Sequence, residues 1–364
     1  MDEREEAGPD EAVRENLLSQ GRYAEAVEAF RSASLEHAVL LGRRLASHNA
    51  IAEARTLYRN LWERPKRPFE WFQLRVLIPL VFHEDERQRK YISYREVVEA
   101  QLPAIKHPGG RTNLVQALLC ADLALQDYDA FRQRAEPFRG AEGLPPFLAR
   151  LVALLPRIEE PADVADRREK VFVIGLSKTG TKSITQGLEM MGYTTAHWSN
   201  PFTRALIDEE DFALFDCCSD TPVSFRFEEL AERFPNARFI NTGRPAESWV
   251  ASFRNHFVRH HGVSDLEAVR RRFHPRGPLF HGPLYARIND RLYTRYGSLE
   301  EAYHAHGERV RGFFAGTARD RLLEFDLFRG DGWAELSRFV GRPAPHEPFP
   351  WIGRAPGREA PATG

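Results

Sequence analysis

The sequence predicts an α/β domain built on a parallel sheet with helices on both faces, preceded by an all-helical segment. Three observations carry that expectation. Val171-Phe-Val-Ile-Gly175 is a continuous apolar run, the composition of a strand buried on both faces. A glycine-containing turn and a helical stretch from about Lys182 to Met191 follow it, and short strands are again expected at Ala237–Asn241 and Arg321–Asp326, with helical stretches between. Strand, turn and crossover helix in that order make three layers around a parallel sheet. Residues before about 155, by contrast, read as helices joined by short turns.

The helical segment opens with Leu17-Leu-Ser-Gln-Gly21-Arg-Tyr23-Ala-Glu-Ala26-Val-Glu-Ala-Phe30-Arg-Ser-Ala33. Alanines at such positions let two helices approach closely while the aromatics fill the groove beside them. Asn49 to Tyr58 echoes the pattern, and Leu114 to Leu125 followed by Gln126-Asp-Tyr128 suggests a third hairpin. The spacing resembles one half of a tetratricopeptide repeat. That resemblance implies a degenerate helical-repeat (TPR-like) domain over residues 1–157, able to hold a protein partner or to close over a neighbouring site. An irregular helical bundle accounts for the same pattern. The polar stretch 158–169 reads as a connector, and 170–364 as the α/β domain.

Composition bounds the function. The chain has 364 residues, of which 42% are hydrophobic and 28% charged, enough for two domains with real cores. The formal net charge is −1, so no overall field recruits nucleic acid and any anion must be bound locally. No apolar run approaches the roughly 18 residues of a membrane span; Val76 to Phe82 is among the longest and contains Pro79. The acidic start Met1-Asp-Glu-Arg-Glu-Glu is unlike a secretory leader. Cys120, Cys217 and Cys218 are too few for a disulfide framework and lack metal-ligand spacing. These features predict a cytoplasmic protein with no nucleic-acid partner and no bound metal.

The segment Gly175-Leu-Ser-Lys178-Thr-Gly180-Thr-Lys182-Ser183 joins the first strand to its helix. A glycine-rich turn at that place aims backbone N–H groups and a helix N-terminus at one spot, which suits a phosphate. The nucleoside-triphosphate form is G-x-x-x-x-G-K-[ST]. Here Thr181 follows the second glycine and lysine comes one position late, at Lys182. Phe215-Asp216 and Phe325-Asp326 are the acidic strand ends that would have to hold magnesium.

The loop resembles the 5′-phosphosulfate loop of the P-loop sulfotransferases, with Lys182 where the bacterial pattern G-x-x-K-T-G-T-T-S has Thr. Phe239-Ile-Asn-Thr-Gly-Arg244 followed by Ser252 is similar to that family's second motif, in which an Arg at a strand end and a Ser two helical turns on hold the 3′-phosphate. Arg supplies a charged, bidentate fork there. Leu322 to Leu336, with Arg329-Gly330 and then Pro343 and Pro348-Phe-Pro350, resembles the family's C-terminal end, and the likeness spans about residues 170 to 352. It implies transfer of a sulfuryl group from 3′-phosphoadenosine 5′-phosphosulfate (PAPS) to a hydroxyl or amine, without a metal. The acceptor stays open among sugars, lipids, peptides and metabolites.

In that reading Lys178 contacts the bridging oxygen and stabilises the leaving phosphate. Ser177 and Thr179 to Ser183, that is Gly180, Thr181, Lys182 and Ser183 with the turn-shaping Thr179, surround the 5′-phosphate. Arg244 and Ser252, joined by Arg329 and Gly330, take the 3′-phosphate. A general base must reach the acceptor. Asp220 stands first, because Ser219-Asp220-Thr221-Pro222 falls roughly where cytosolic relatives carry a catalytic His before a proline. A carboxylate in water is a weak base near pH 7, so the role calls for a buried setting or else for orientation alone. His197, in Thr195-Ala-His197-Trp198, is the second candidate and His256 the third. From Arg254 to Arg291 the chain carries eight arginines and five histidines against three acids; this stretch is expected to form an acceptor-side lid, with Arg270-Arg-Arg272 solvated and Phe280 to Tyr285 nearer the site. Trp198 and Phe202 are offered as core aromatics before stacking platforms. Two other readings remain open: an ATP- and magnesium-dependent phosphotransferase, and a helical-repeat scaffold with a degenerate P-loop domain.

Overall fold

The computed structural model describes residues 11–263, 265–273, 282–316 and 318–352. Five parallel strands form the sheet: β1 Val171–Val173, β2 Thr195–His197, β3 Cys217–Ser219, β4 Arg238–Thr242 and β5 Leu322–Phe325. Their order is β2-β3-β1-β4-β5. The loop after β1 leads toward β2, on one side, and the loop after β4 leads to β5, on the other. A crevice therefore opens at the carboxyl ends of β1 and β4, the topological switch point where such sheets bind ligands.

Alternation along the strands builds the three layers. Val171, Val173, Cys217 and Ile240 share a core with Ile184, Leu188, Leu336 and Val340, from helices Thr181–Met190 and Trp333–Val340. Phe172, Ile174, Cys218 and Phe239 face the other way, onto Phe212, Phe234, Val310 and Phe314. The expected strands at 171, 237 and 321 are β1, β4 and β5. β2 and β3 complete the sheet with three residues each.

Residues 11 to 158 are helical, as expected. The three expected hairpins share one turn. Gly21, Asn49 and Gln126 have φ of 70°, 61° and 56°, and each is followed by a residue with φ near −83° that starts the next helix. In all three, that residue's N–H donates at 2.9 Å to the carbonyl five residues back: Arg22 to Leu17, Ala50 to Leu45, Asp127 to Asp122. A left-handed residue at a helix end satisfies an otherwise orphaned carbonyl.

These helices share cores with the α/β part rather than sitting apart. Leu119, Phe131 and Leu148 lie in the same cluster as Phe172 and Phe239, while Leu41, Leu45 and Tyr94 lie in the same cluster as Trp249, Phe257 and Tyr293. The stretch expected as a free connector is also packed. It forms helix Ala162–Arg167, and Arg168 pairs with Asp216 at 3.2 Å. The adjoining Lys170 is buried and donates to the carbonyls of Ala213 and Phe215 at 2.9 and 3.0 Å.

Candidate active site

The loop between β1 and helix Thr181–Met190 is built for close approach. A Cβ on Gly175 would sit 1.9 Å from Thr242 Oγ1 and 2.8 Å from the Thr242 nitrogen, so the loop can lie against β4 only with glycine there. Lys178 and Gly180 have φ of 73° and 104°; the chain reverses through these left-handed positions and enters the helix at Thr181. Buried Thr179 donates to Leu176 O at 2.6 Å and meets Thr242 Oγ1 at 2.5 Å, which makes it a strut of the turn. Lys182 is exposed at the head of the helix. This cradle, with its free helix N-terminus, fits a phosphate.

Neighbouring segments fix the loop. Ser177 O accepts from Trp249 Nε1 at 2.8 Å, and Ser177 N–H donates to Tyr293 Oη at 3.4 Å. Arg244 donates to Lys178 O at 3.0 Å and to Ser248 Oγ at 3.1 Å, and its guanidinium lies 4.1 Å from the centre of the Phe328 ring. The hydroxyl in contact with Arg244 is thus Ser248; Ser252, half-buried, comes one turn later on the same face of helix Ala246–His261. Tyr303 donates to Arg244 O at 2.6 Å. Ser183 Oγ accepts from Ile352 N–H at 2.9 Å, which ties the C-terminal strap to the loop. Arg329 is 81% exposed and pairs with Asp326 at 3.3 Å. It projects to solvent because Gly330, with φ of 106°, ends its turn; the residues that reach the site from this loop are Phe328 and Leu327.

The two leading base candidates occupy one cluster. Asp220 Oδ2 faces His197 Nε2 at 3.3 Å and accepts from Thr181 Oγ1 at 3.2 Å. Its Oδ1 accepts from Thr221 N–H at 2.6 Å. His197 Nδ1 is 2.9 Å from Ser219 Oγ, which also meets Thr185 Oγ1 at 2.7 Å. β2, β3 and the phosphate loop thus meet at the carboxyl edge of the sheet. Burial holds the His197 imidazole below its ordinary value against the pull of Asp220, and Lys182 and Lys178 add to the lowering. The Lys178 ammonium is likewise lowered, by burial first, with Asp220 opposing and Arg244 reinforcing. His256, half-buried, is pushed down to about 3 by burial and then by Lys178; it lies 4.5 Å, ring to ring, from His260.

The acidic strand ends part company. Asp216 precedes β3 rather than ending a strand. Its carboxylate is held at the amino edge of the sheet by Arg157 at 3.1 Å, Arg168 at 3.2 Å and Thr194 Oγ1 at 2.8 Å. It faces away from the phosphate loop. Asp326 caps the turn at Leu327–Arg329 through Phe328 N–H at 2.9 Å. No group of three or more potential metal ligands occurs among the described residues.

Of the expected lid, Phe280 lies outside the described residues. Tyr285 is buried and packs edge-on against Trp198, 6.1 Å between centroids. Arg270 and Arg272 are bound to main-chain carbonyls of Thr294 (3.1 Å) and His261 (2.9 Å) rather than merely solvated. Phe202 is a core residue, as expected, stacked on Phe215 at 6.2 Å. Tyr293, Tyr303 and Phe328 were not foreseen, since single aromatics scattered over the last third of the chain carry no spacing signal. Trp249, inside the second motif, was visible in sequence but had no assigned job.

Residues 170–356 match the family described as sulfotransferase domain. A stretch of 219 residues is 28% identical to "Ava biosynthesis cluster protein M" of Aspergillus versicolor, spanning 50% of this chain and 80% of that protein. No described helix is long and apolar enough to cross a membrane.

Proposed function

We propose, because the chain belongs to the sulfotransferase domain family, that it transfers a sulfuryl group from PAPS to a hydroxyl or amine of an acceptor. The observation that carries this reading is the convergence of Lys178, the phosphate loop and the Asp220–His197 pair at one edge of the sheet. PAPS supplies the activated sulfuryl group; the rest is the work of this chain's residues. Backbone N–H groups at the head of helix Thr181–Met190 receive the 5′-phosphate, and Lys178 offsets the charge that develops on it. Arg244, braced on Lys178 O and Phe328, takes the 3′-phosphate with Ser248 and Ser252.

Asp220 is the group that receives the acceptor's proton. A carboxylate has about four lone-pair sites; Thr181 and Thr221 occupy two, and His197 Nε2 lies 3.3 Å from Oδ2. The remaining lone pairs would receive the acceptor hydroxyl. His197, neutral because burial lowers it, lies between Asp220 Oδ2 at 3.3 Å and Ser219 Oγ at 2.9 Å; it is a positioning residue for that carboxylate. The relative named for a biosynthesis cluster favours a small organic acceptor over a macromolecule.

Calorimetric titration tests the donor. The bisphosphate product, 3′-phosphoadenosine 5′-phosphate, should bind tightly without metal, while ATP with magnesium binds at least tenfold more weakly. Preference for ATP and magnesium would move the chain to phosphoryl transfer, and binding of neither would make it a scaffold.

A further inference from the structure

Arg244 stands where the chain leaves the sheet. Gly243 N–H donates to Phe325 O at 2.8 Å, and Pro245 O, accepting from Trp249 N–H at 3.0 Å, opens helix Ala246–His261. The arginine between them belongs to neither element. A guanidinium on so long a side chain binds an anion well only when its stem is already in place, because otherwise binding must also order it.

Tyr303, on helix Leu299–Phe313, supplies that order. Its one hydroxyl accepts from Arg244 N–H at 3.0 Å and donates to Arg244 O at 2.6 Å. A hydroxyl has one proton to give and lone pairs to receive, so a single oxygen serves both backbone groups of the arginine. The phenol is half-buried, and burial raises it above its ordinary value against the opposing pull of Arg244; it keeps the proton that it donates. The ring is fixed in turn. It lies 5.0 Å from the ring of fully buried Trp249, whose Nε1 donates to Ser177 O at 2.8 Å. Tyr303 thus holds the backbone end of Arg244, while Lys178 O, Ser248 Oγ and the Phe328 ring hold its guanidinium end.

We propose that Tyr303 is a positioning residue for Arg244 and, through it, sets the preference for nucleotides that carry a 3′-phosphate. The role rests on the sulfuryl-transfer reading, which gives that phosphate to Arg244. A tyrosine that merely packed one helix on another would act on both phosphate sites, because Trp249 beneath its ring also braces the 5′-phosphate loop. A positioning tyrosine acts on one of them.

Two ligands that differ only in the 3′-phosphate separate these cases. The full-length protein is titrated calorimetrically with 3′-phosphoadenosine 5′-phosphate and with adenosine 5′-phosphate. Wild type should bind the bisphosphate at least about tenfold tighter, the contribution of a charged contact. Tyr303→Phe keeps the ring on Trp249; it should weaken the bisphosphate about fivefold, roughly the net worth of one hydrogen bond, and leave adenosine 5′-phosphate unchanged. In an Arg244→Gln background, which has already lost most of the preference, adding Tyr303→Phe should weaken the bisphosphate by less than about twofold, since residues that act through one another are not additive. Equal weakening of both nucleotides, an unaltered preference in Tyr303→Phe, or effects that multiply in the double variant would each overturn the role. A wild-type protein that does not prefer the bisphosphate would instead overturn the donor reading, and the role of Tyr303 with it.

Discussion

Asp220 has φ of 77° and ψ of −168°, a conformation that is nearly glycine's alone and costs about 1–3 kcal/mol for other residues. Its carboxylate caps the helix that follows and also turns to the phosphate loop, two contacts that hold it there. Sequence spacing named Asp220 and His197 as rivals, because it could not show that β2 and β3 are neighbours; the fold makes them partners. Asp220→Asn keeps the cap at Thr221 and should fold normally, yet lose about 10²–10⁴-fold in kcat, since the amide cannot take a proton. His197→Gln should cost less and should reshape the pH profile. With the imidazole held below its ordinary value of 6.5, wild-type kcat/KM should stay flat from pH 7.5 down to 6.5 and fall only below that. A fall centred at or above 6.5 would mean that His197 is charged in the working enzyme. Lys178→Ala should lower turnover about 10²–10³-fold, the effect of losing one donor aimed at developing charge, while bisphosphate binding persists.

The phosphate loop was the most legible element, because glycine, lysine and hydroxyl residues crowd into nine positions between an apolar run and a helix. β4 and β5 were legible for the same reason, as apolar strands with flanking helices. β2 and β3 were not: Thr-Ala-His and Cys-Cys-Ser have neither the length nor the composition of an apolar run, and they are strands because β1 and the layers above hold them in register. The same lack of pattern hides that Asp216 precedes β3 instead of ending a strand. What lies against the loop was also hidden, and Gly175 shows how close the fit is. Gly175→Ala puts a methyl group into Thr242; it should destabilise the fold by about 1–3 kcal/mol, as overpacking does, and abolish bisphosphate binding. Adding Thr242→Ala removes the nearer clash and should recover part of the stability. Recovery of none would mean that the backbone approach at 2.8 Å dominates.

The two halves of the chain unfold together if the cores are as continuous as they look in space, and three buried histidines make that testable. His48 belongs to the helical segment. His261 ends the helix of the second motif and bonds Ser47 O at 2.8 Å, across the seam. His306 bonds Ile174 O at 2.8 Å, just beyond β1. Burial pushes them down to about 4, 3 and 3. Because the folded values lie below the unfolded value near 6.5, the unfolded chain takes up protons first as the pH drops. The stability they confer is therefore complete above pH 6.5 and is lost progressively below it, by about 2 kcal/mol for each histidine at pH 5. Thermal unfolding followed by far-ultraviolet circular dichroism and by tryptophan fluorescence should give one coincident transition, stable from pH 8 to 7 and falling steeply between pH 6.5 and 4.5. Trp62 and Trp71 report the helical segment, and Trp249 and Trp333 the α/β part. His306→Gln, which can keep an N–H for Ile174 O but takes up no proton, should make that fall shallower without splitting the transition. Two separate transitions would instead restore the picture of independent domains that the connector at 158–169 suggests from sequence.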